Sequence, residues 1–369
     1  STPSDSRELL ASVDFEPDTD AGMESMLGFR QELGFAGSVQ SVAAVAMHPE
    51  IEGAGAEGLN EAAVRSWETI NMGDEFEAEA GAEQVLARFS NNSPNTIGSV
   101  LPFVTVGWRK GESTISYRLA TAVPNAQGLD ETQAGAWLPA LSVSDGRLML
   151  EHGLHQEIGW ERRTDDSSVS VFLYSDTLKN QVIEASGRGV RGGAEALHDG
   201  GSGLLRMAAT GYSGAGMVAT VARRLPHGNH VRLSYANGDA LVIGGGQHAT
   251  VLSEIAAQAR PRRTQMCSLS LSGTLDGTGT RWRASYRWQP EDTVTRVAPY
   301  AAEAEEPYLN LHLRQPVYGS HQSARSVDAM IDVRNLLAQG DRPFLLTDGS
   351  LLVFAQDQRG VVAGLAFTF

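Results

Sequence analysis

The sequence predicts an all-β protein, a transmembrane antiparallel up-and-down β-barrel of about sixteen strands. Three observations predict it. Apolar and polar residues alternate with period two along nearly the whole chain. Many alternating segments reach 11 to 14 residues. Globular strands average ~5–6 residues, whereas ~9–11 tilted residues cross a bilayer. Short connections also alternate with longer ones, which sorts tight turns to one end of the strands and long loops to the other.

Taken in order, the strands fall at about 9–17, 23–35, 37–49, 63–71, 75–90, 98–109, 113–122 and 148–163. They continue at 167–180, 210–224, 229–241, 263–275, 280–290, 306–317, 324–336 and 357–369. Residues 1–8 form an N-terminal tail and 9–369 the barrel. The short connections are 35–37, 72–74, 110–112, 164–166, 225–228, 276–279 and 318–323. The longer ones are 18–22, 50–62, 91–97, 123–147, 181–209, 242–262, 291–305 and 337–356. The best helical segment, VLSEIAAQAR at 251–260, lies in one of them. A Greek-key sandwich does not sort its loops in this way.

The two faces of the strands differ in chemistry. Trp282, Ala284, Tyr286 and Trp288 share one face, and Arg281, Arg283, Ser285 and Arg287 the other. The next strand sets Leu309, Leu311 and Leu313 against Asn310, His312 and Arg314. The one after sets Val327, Ala329, Ile331 and Val333 against Asp328, Asp332 and Arg334. Glu75, Glu77 and Glu79 point inward by the same alternation, as do His155, Glu157 and Glu161. In a barrel the apolar faces meet lipid and the charged faces line a wet lumen. Trp160, Trp282 and Trp288 lie near strand ends, where an interfacial aromatic girdle sits. In water the same split describes a solvated sheet over a core, so a soluble β-rich enzyme or binding module is the competing reading.

Bulk properties narrow the function. The formal charge of -15 and the presence of only two lysines, Lys110 and Lys179, argue against a nucleic-acid partner. No apolar run approaches the ~18–20 residues of a spanning helix. A single cysteine, Cys267, excludes an internal disulfide and a thiolate metal cluster. GRGVRG at 187–192 fits a dinucleotide pattern but has no helical pattern behind it. His227 and His230 flank a turn without a third metal ligand. Gly211–Ala215 misses a nucleophile elbow at its last position, and Asn91-Asn92-Ser93 is a polar loop. No carboxylate pair or catalytic triad stands out, so neither enzymatic chemistry, a cofactor nor a metal is expected.

The C-terminal residues Gly364, Phe367 and Phe369 resemble the β-signal recognised by the bacterial outer-membrane assembly machinery. Segments 154–182, 327–344 and 66–83 resemble hairpins and the penultimate strand of TonB-dependent receptors. The resemblance covers roughly residues 63–369. It implies the bacterial outer membrane, contact with its lipid and with the assembly machinery, and uptake of bulky nutrients through a barrel of about 22 strands around a plug. The sequence shows neither a plug nor a TonB-contacting segment. The expectation is therefore a barrel portion, alone, within a larger barrel, or completed by a separate plug or other envelope subunit.

The expected role is passage or docking of a solute. Arg281, Arg283, Arg287, Arg314, His312, Asp328, Asp332, Glu75, Glu77, Glu79, His155 and Glu157 are the lumen-lining candidates. The alternative is a structural or adhesive surface barrel whose loops 123–147 and 181–209 are its working parts.

Overall fold

The computed structural model describes residues 7–15, 22–33, 37–90, 95–122, 137–187, 193–200, 202–244, 248–249, 251–301, 307–318, 326–347, 349–354 and 359–368. The chain opens with seven long strands. These are β1 (Arg7–Phe15), β2 (Met23–Glu32), β3 (Gly37–Gly53), β4 (Ala56–Met72), β5 (Phe76–Phe89), β6 (Thr96–Lys110) and β7 (Ser113–Ala120). The short β8 (Leu141–Ser144) and β9 (Arg147–Leu150) precede the long β10 (His152–Arg163) and β11 (Ser167–Lys179). Three short strands follow, β12 (Val182–Gly187), β13 (Leu197–Asp199) and β14 (Leu204–Ala208), and then the long β15 (Tyr212–Arg224) and β16 (His230–Val242). Next come β17 (His248–Ala249), α1 (Leu252–Gln258), β18 (Arg260–Thr274), β19 (Arg281–Trp288), β20 (Tyr308–Tyr318) and β21 (Ser326–Arg334). β22 (Arg342–Leu346), β23 (Leu351–Phe354) and β24 (Gly360–Thr368) complete the chain.

Sixteen of these strands are staves of one antiparallel wall, each paired with its neighbour along the chain once the short strands are set aside. The fold class is the expected one, all-β and up-and-down, and each of the sixteen predicted strands has its stave. The helical segment is α1.

One predicted connection was wrong. Residues 50–62 are not a loop, because β3 and β4 run on past the neighbouring staves and join at Ala54-Gly55. Both residues have positive φ, 55° and 75°, which matches the right-handed twist of a two-residue hairpin. The strand drawn from 148 also breaks at Glu151, dividing β9 from β10.

The wall is strongly curled. Laid flat at ~4.8 Å per strand, sixteen staves would span roughly 70 Å. Yet β12, from the connection after β11, pairs with β23, from the connection after β21. β13 pairs with the tip of β3 at Ile51 and Glu52. Leu10 of β1 packs into the same core as Phe354 of β23. Among the described residues no ladder joins β1 to β24.

The long connections do not spread as separate loops. β8, β12, β13, β14, β17, β22 and β23 come from four of them and form one mixed extension of the sheet, with parallel pairings β8–β14 and β17–β22. We call this the cap. Its centre is dry: Leu141, Val143, Ile183, Leu205, Leu352 and Phe354 are each at most 1% exposed. Burial of such side chains contributes about 1.5–3 kcal/mol apiece. The cap core is continuous with inward residues of the wall, among them Val42, Ala44 and Trp67.

Candidate functional site

The two faces of the staves divide as alternation requires. Outward residues stay exposed although they are apolar: Leu27, Leu86, Ile158, Leu173 and Leu233 are each just over half exposed. Near the short-turn end this band is edged by Phe76, Trp108 and Trp160, and Phe76 stacks on Trp108 with ring centroids 6.3 Å apart. Soluble monomers rarely expose contiguous apolar surface beyond a few hundred Å². The inward face carries clusters of ionic groups, and three of them hold the predicted residues.

On β19–β21, Arg314 Nε donates to Asp328 Oδ2 at 2.7 Å, and Asp328 is 1% exposed. His312 Nδ1 pairs with Asp332 Oδ1. Arg287 and Ser285 lie buried on the same inner surface, while Arg283 is exposed and Arg281 is exposed at the strand start. Here the predicted residues Arg281, Arg283, Arg287, His312, Arg314, Asp328 and Asp332 come together on three adjacent staves.

On β10 and β11, His155 Nδ1 lies 2.6 Å from Asp176 Oδ1 and its Nε2 lies 3.6 Å from Glu157. Both members of the His155–Asp176 pair are almost fully buried. The Tyr300 ring stacks on His155 at 4.4 Å between centroids, 12° from parallel. Tyr300 arrives from the connection between β19 and β20. Its carbonyl accepts from Arg118 Nη1 at 3.2 Å.

On β4–β7, the Arg65 guanidinium lies over the Phe103 ring at 4.5 Å and the Trp67 ring at 5.5 Å. Glu79, Glu83 and Arg118 share its electrostatic field. Trp67 in turn stacks on Trp137 of the cap side at 6.3 Å. Glu79 faces this cluster, and Glu77 is exposed nearer the turn. Glu75 departs from the expected lumen position. It lies in the turn before β5, and its carboxylate accepts from the outward Trp108 indole at 3.3 Å.

Sequence reasoning missed Arg65, Glu83, Arg118, Tyr174 and Asp176. All occupy inward positions by alternation and could have been found by extending the same rule to every strand. Tyr300 and Trp137 carried no such signal, because they sit in irregular connections.

Two polar junctions tie cap to wall. Gly200 N donates to Glu50 O at 3.1 Å, beside the His48–Glu50 contact of 2.8 Å. Glu151, between β9 and β10, accepts from Val182 N of β12 at 3.0 Å. Burial pushes the Glu151 carboxyl up to about 7, while that hydrogen bond and Arg296 pull it down and Glu184 raises it further.

Among the described residues no group of three or more His, Cys, Asp and Glu side chains is arranged to hold a metal ion. GRGVRG extends into 188–192, and Asn91–Ser93 and Phe369 also lie outside the described residues. Gly364 lies in β24, exposed and opposite Met330. Phe367 is in register with Val327.

No protein-family model and no curated protein matches the chain. Solved structures do resemble it at low identity. The FrpB iron transporter from Neisseria meningitidis (F3-3 variant) is 10% identical with a TM-score of 0.39, over 94% of this chain and 54% of that one. The copper transporter OprC is 12% identical with a TM-score of 0.37, over 98% and 60%. The P. putida toluene transporter TodX is 8% identical with a TM-score of 0.36, over 98% and 87%. The chain thus spans about half the length of FrpB.

Proposed function

We propose that this chain is an outer-membrane β-barrel that gives passage to, or docks, a solute, and that its role is non-catalytic. One observation carries the reading: the staves expose an apolar outer band while ionic side chains gather on the inner face. In a bilayer the outer band meets hydrocarbon, the ladders between neighbouring staves pair their backbone N–H and C=O groups, and the inner charges meet water. Among the described residues no helix is long and apolar enough to cross a membrane, so any crossing belongs to the strands.

Within this reading, the Arg-rich β19–β20 surface and the Glu79–Glu83–Arg65 cluster set the charge preference of the interior. Lipid is the partner of the outer band. The barrel-assembly machinery is the proposed partner of β24 through Gly364, Phe367 and Phe369. A TonB-dependent mode of uptake, with a plug supplied by another segment or subunit, extends the reading.

The test is solubility followed by insertion. The purified chain should require detergent to stay monodisperse and should insert into lipid vesicles with the strand content of a barrel. A monodisperse chain in plain buffer overturns the proposal.

A further inference from the structure

The connection between β19 and β20 does more than join two staves. From residue 290 it runs across the inner wall, past the five staves that separate β19 from β7. It first extends the end of β16. Ile243 N donates to Asp292 O at 3.0 Å, Val294 N to Leu241 O at 2.9 Å, and Leu241 N to Thr295 Oγ1 at 2.9 Å. Arg262 holds Asp292 at 2.6 Å. Val297 and Ala298 then pack on Ala236, Ala240 and Met266, and Tyr174 Oη donates to Val297 O at 2.7 Å. The segment ends with Tyr300, 1% exposed, stacked on His155.

The wall is cut to receive it. Tyr174 lies across β15 and β16 at Gly216 and Gly238. A Cβ at Gly238 would stand 2.9 Å from the Val297 carbonyl oxygen and closer still to the Tyr174 hydroxyl. A Cβ at Gly216 would strike the same hydroxyl and stand 2.7 Å from Asn237 O. Any larger residue at 238 therefore pushes both the tyrosine and the strap off the wall. The strap is held by a few hydrogen bonds, the Arg262–Asp292 ion pair, one ring stack and the apolar contacts of Val297 and Ala298 over the glycine seat.

The geometry points to residues 290–301 as an internal gate that closes the barrel beneath the cap while Tyr300 is seated on His155. This rests on the barrel reading above. Leaving the seat breaks these bonds and the stack and bares the apolar patch under Val297 and Ala298, so the unseated form is populated by a solute only to the extent that the solute prefers it by a comparable free energy.

The experiment compares the full chain with its Tyr300→Ala and Gly238→Val variants in planar bilayers bathed in potassium chloride. Circular dichroism and heat-modifiable gel migration check that each variant is folded. Wild type should be mostly closed, and each folded variant should raise mean conductance about tenfold, the effect of losing one or two seat contacts. Tyr300→Phe, which keeps the stack, should stay near wild type. Wild-type conductance equal to that of the variants overturns the gate and leaves the barrel intact. Failure of every version to enter the bilayer overturns the barrel reading instead.

Discussion

The wall and the cap are built from one sheet but dispose their apolar side chains differently. In the wall, Leu27, Ile158 and Leu173 point outward and stay half exposed, and buried charged side chains such as His155, Asp176, Arg287 and Asp328 point inward. In the cap the order reverses. Ile183, Leu205 and Phe354 point into a dry core, as in a water-soluble domain, and Glu184 and Arg206 pair near its surface at 3.4 Å. The difference shows that alternation alone says only that two faces differ, and the surroundings decide which of them is the inside. It also implies that the cap draws its stability chiefly from side-chain burial, while the wall adds long ladders to the core it shares with the cap.

The largest expected effect is on the cap core. Phe354, packed edge-on against Phe344 at 5.3 Å, should lose about 3–5 kcal/mol of local stability on substitution to Ala. Hydrogen exchange should show β12 and β23 amides losing protection while the amides of β5 and β6 keep theirs. Loss across all staves together would erase the distinction between cap and wall.

The wall should respond to charge instead. Leu311→Arg should cost about 2–4 kcal/mol in refolding from urea into lipid vesicles, if the residue stands near mid-bilayer. The neighbouring inward substitution His312→Arg places a guanidinium beside Asp332 on the polar face and should change stability by less than about 0.5 kcal/mol. Equal costs at both positions would remove the assignment of faces.

The cap–wall junction should respond to pH. The Glu151 carboxyl titrates near 7 in the folded protein against 4.5 in the open chain, so folding favours its protonated form. Docking of β12 should be firmest below pH 4.5 and weaken as pH rises through 7, by at most about 3 kcal/mol. Protease sensitivity of residues 182–208 across that interval measures it. Glu151→Gln should flatten the profile.

The smallest effect belongs to the outward Ser41–Ser66 hydroxyl pair, 2.8 Å apart on the outer face of the wall. Ser41→Ala should cost about 0.6 kcal/mol, the usual worth of such a bond in a membrane protein. A much larger loss would show that the outer face is packed against something other than lipid.

Much of the wall could be read in advance because strand patterning is local. Arg283 and Trp282 declare their opposite faces one residue apart, and β19 needs no distant partner to do so. The same locality located His155 and Glu157 on the inner side. It failed at 50–62, where glycine and acidic residues look like a loop yet β3 and β4 extend past their neighbours, because β13 docks on the tip of β3. Glu75 was misassigned because parity stops at a turn, and there the Trp108 indole decides where the carboxylate goes.

What the sequence determined by itself was the period and order of sixteen staves, since each depends on neighbours two residues away and on turn chemistry. Only the tertiary structure decided that four long connections fold into a common cap and that Tyr300 reaches His155 from five staves away. Those contacts join residues from 64 to 167 positions apart, as Val143 with Met207 and Ser186 with Val353. Irregular backbone carries no periodicity from which such partners can be inferred; the curl of the wall brings them together.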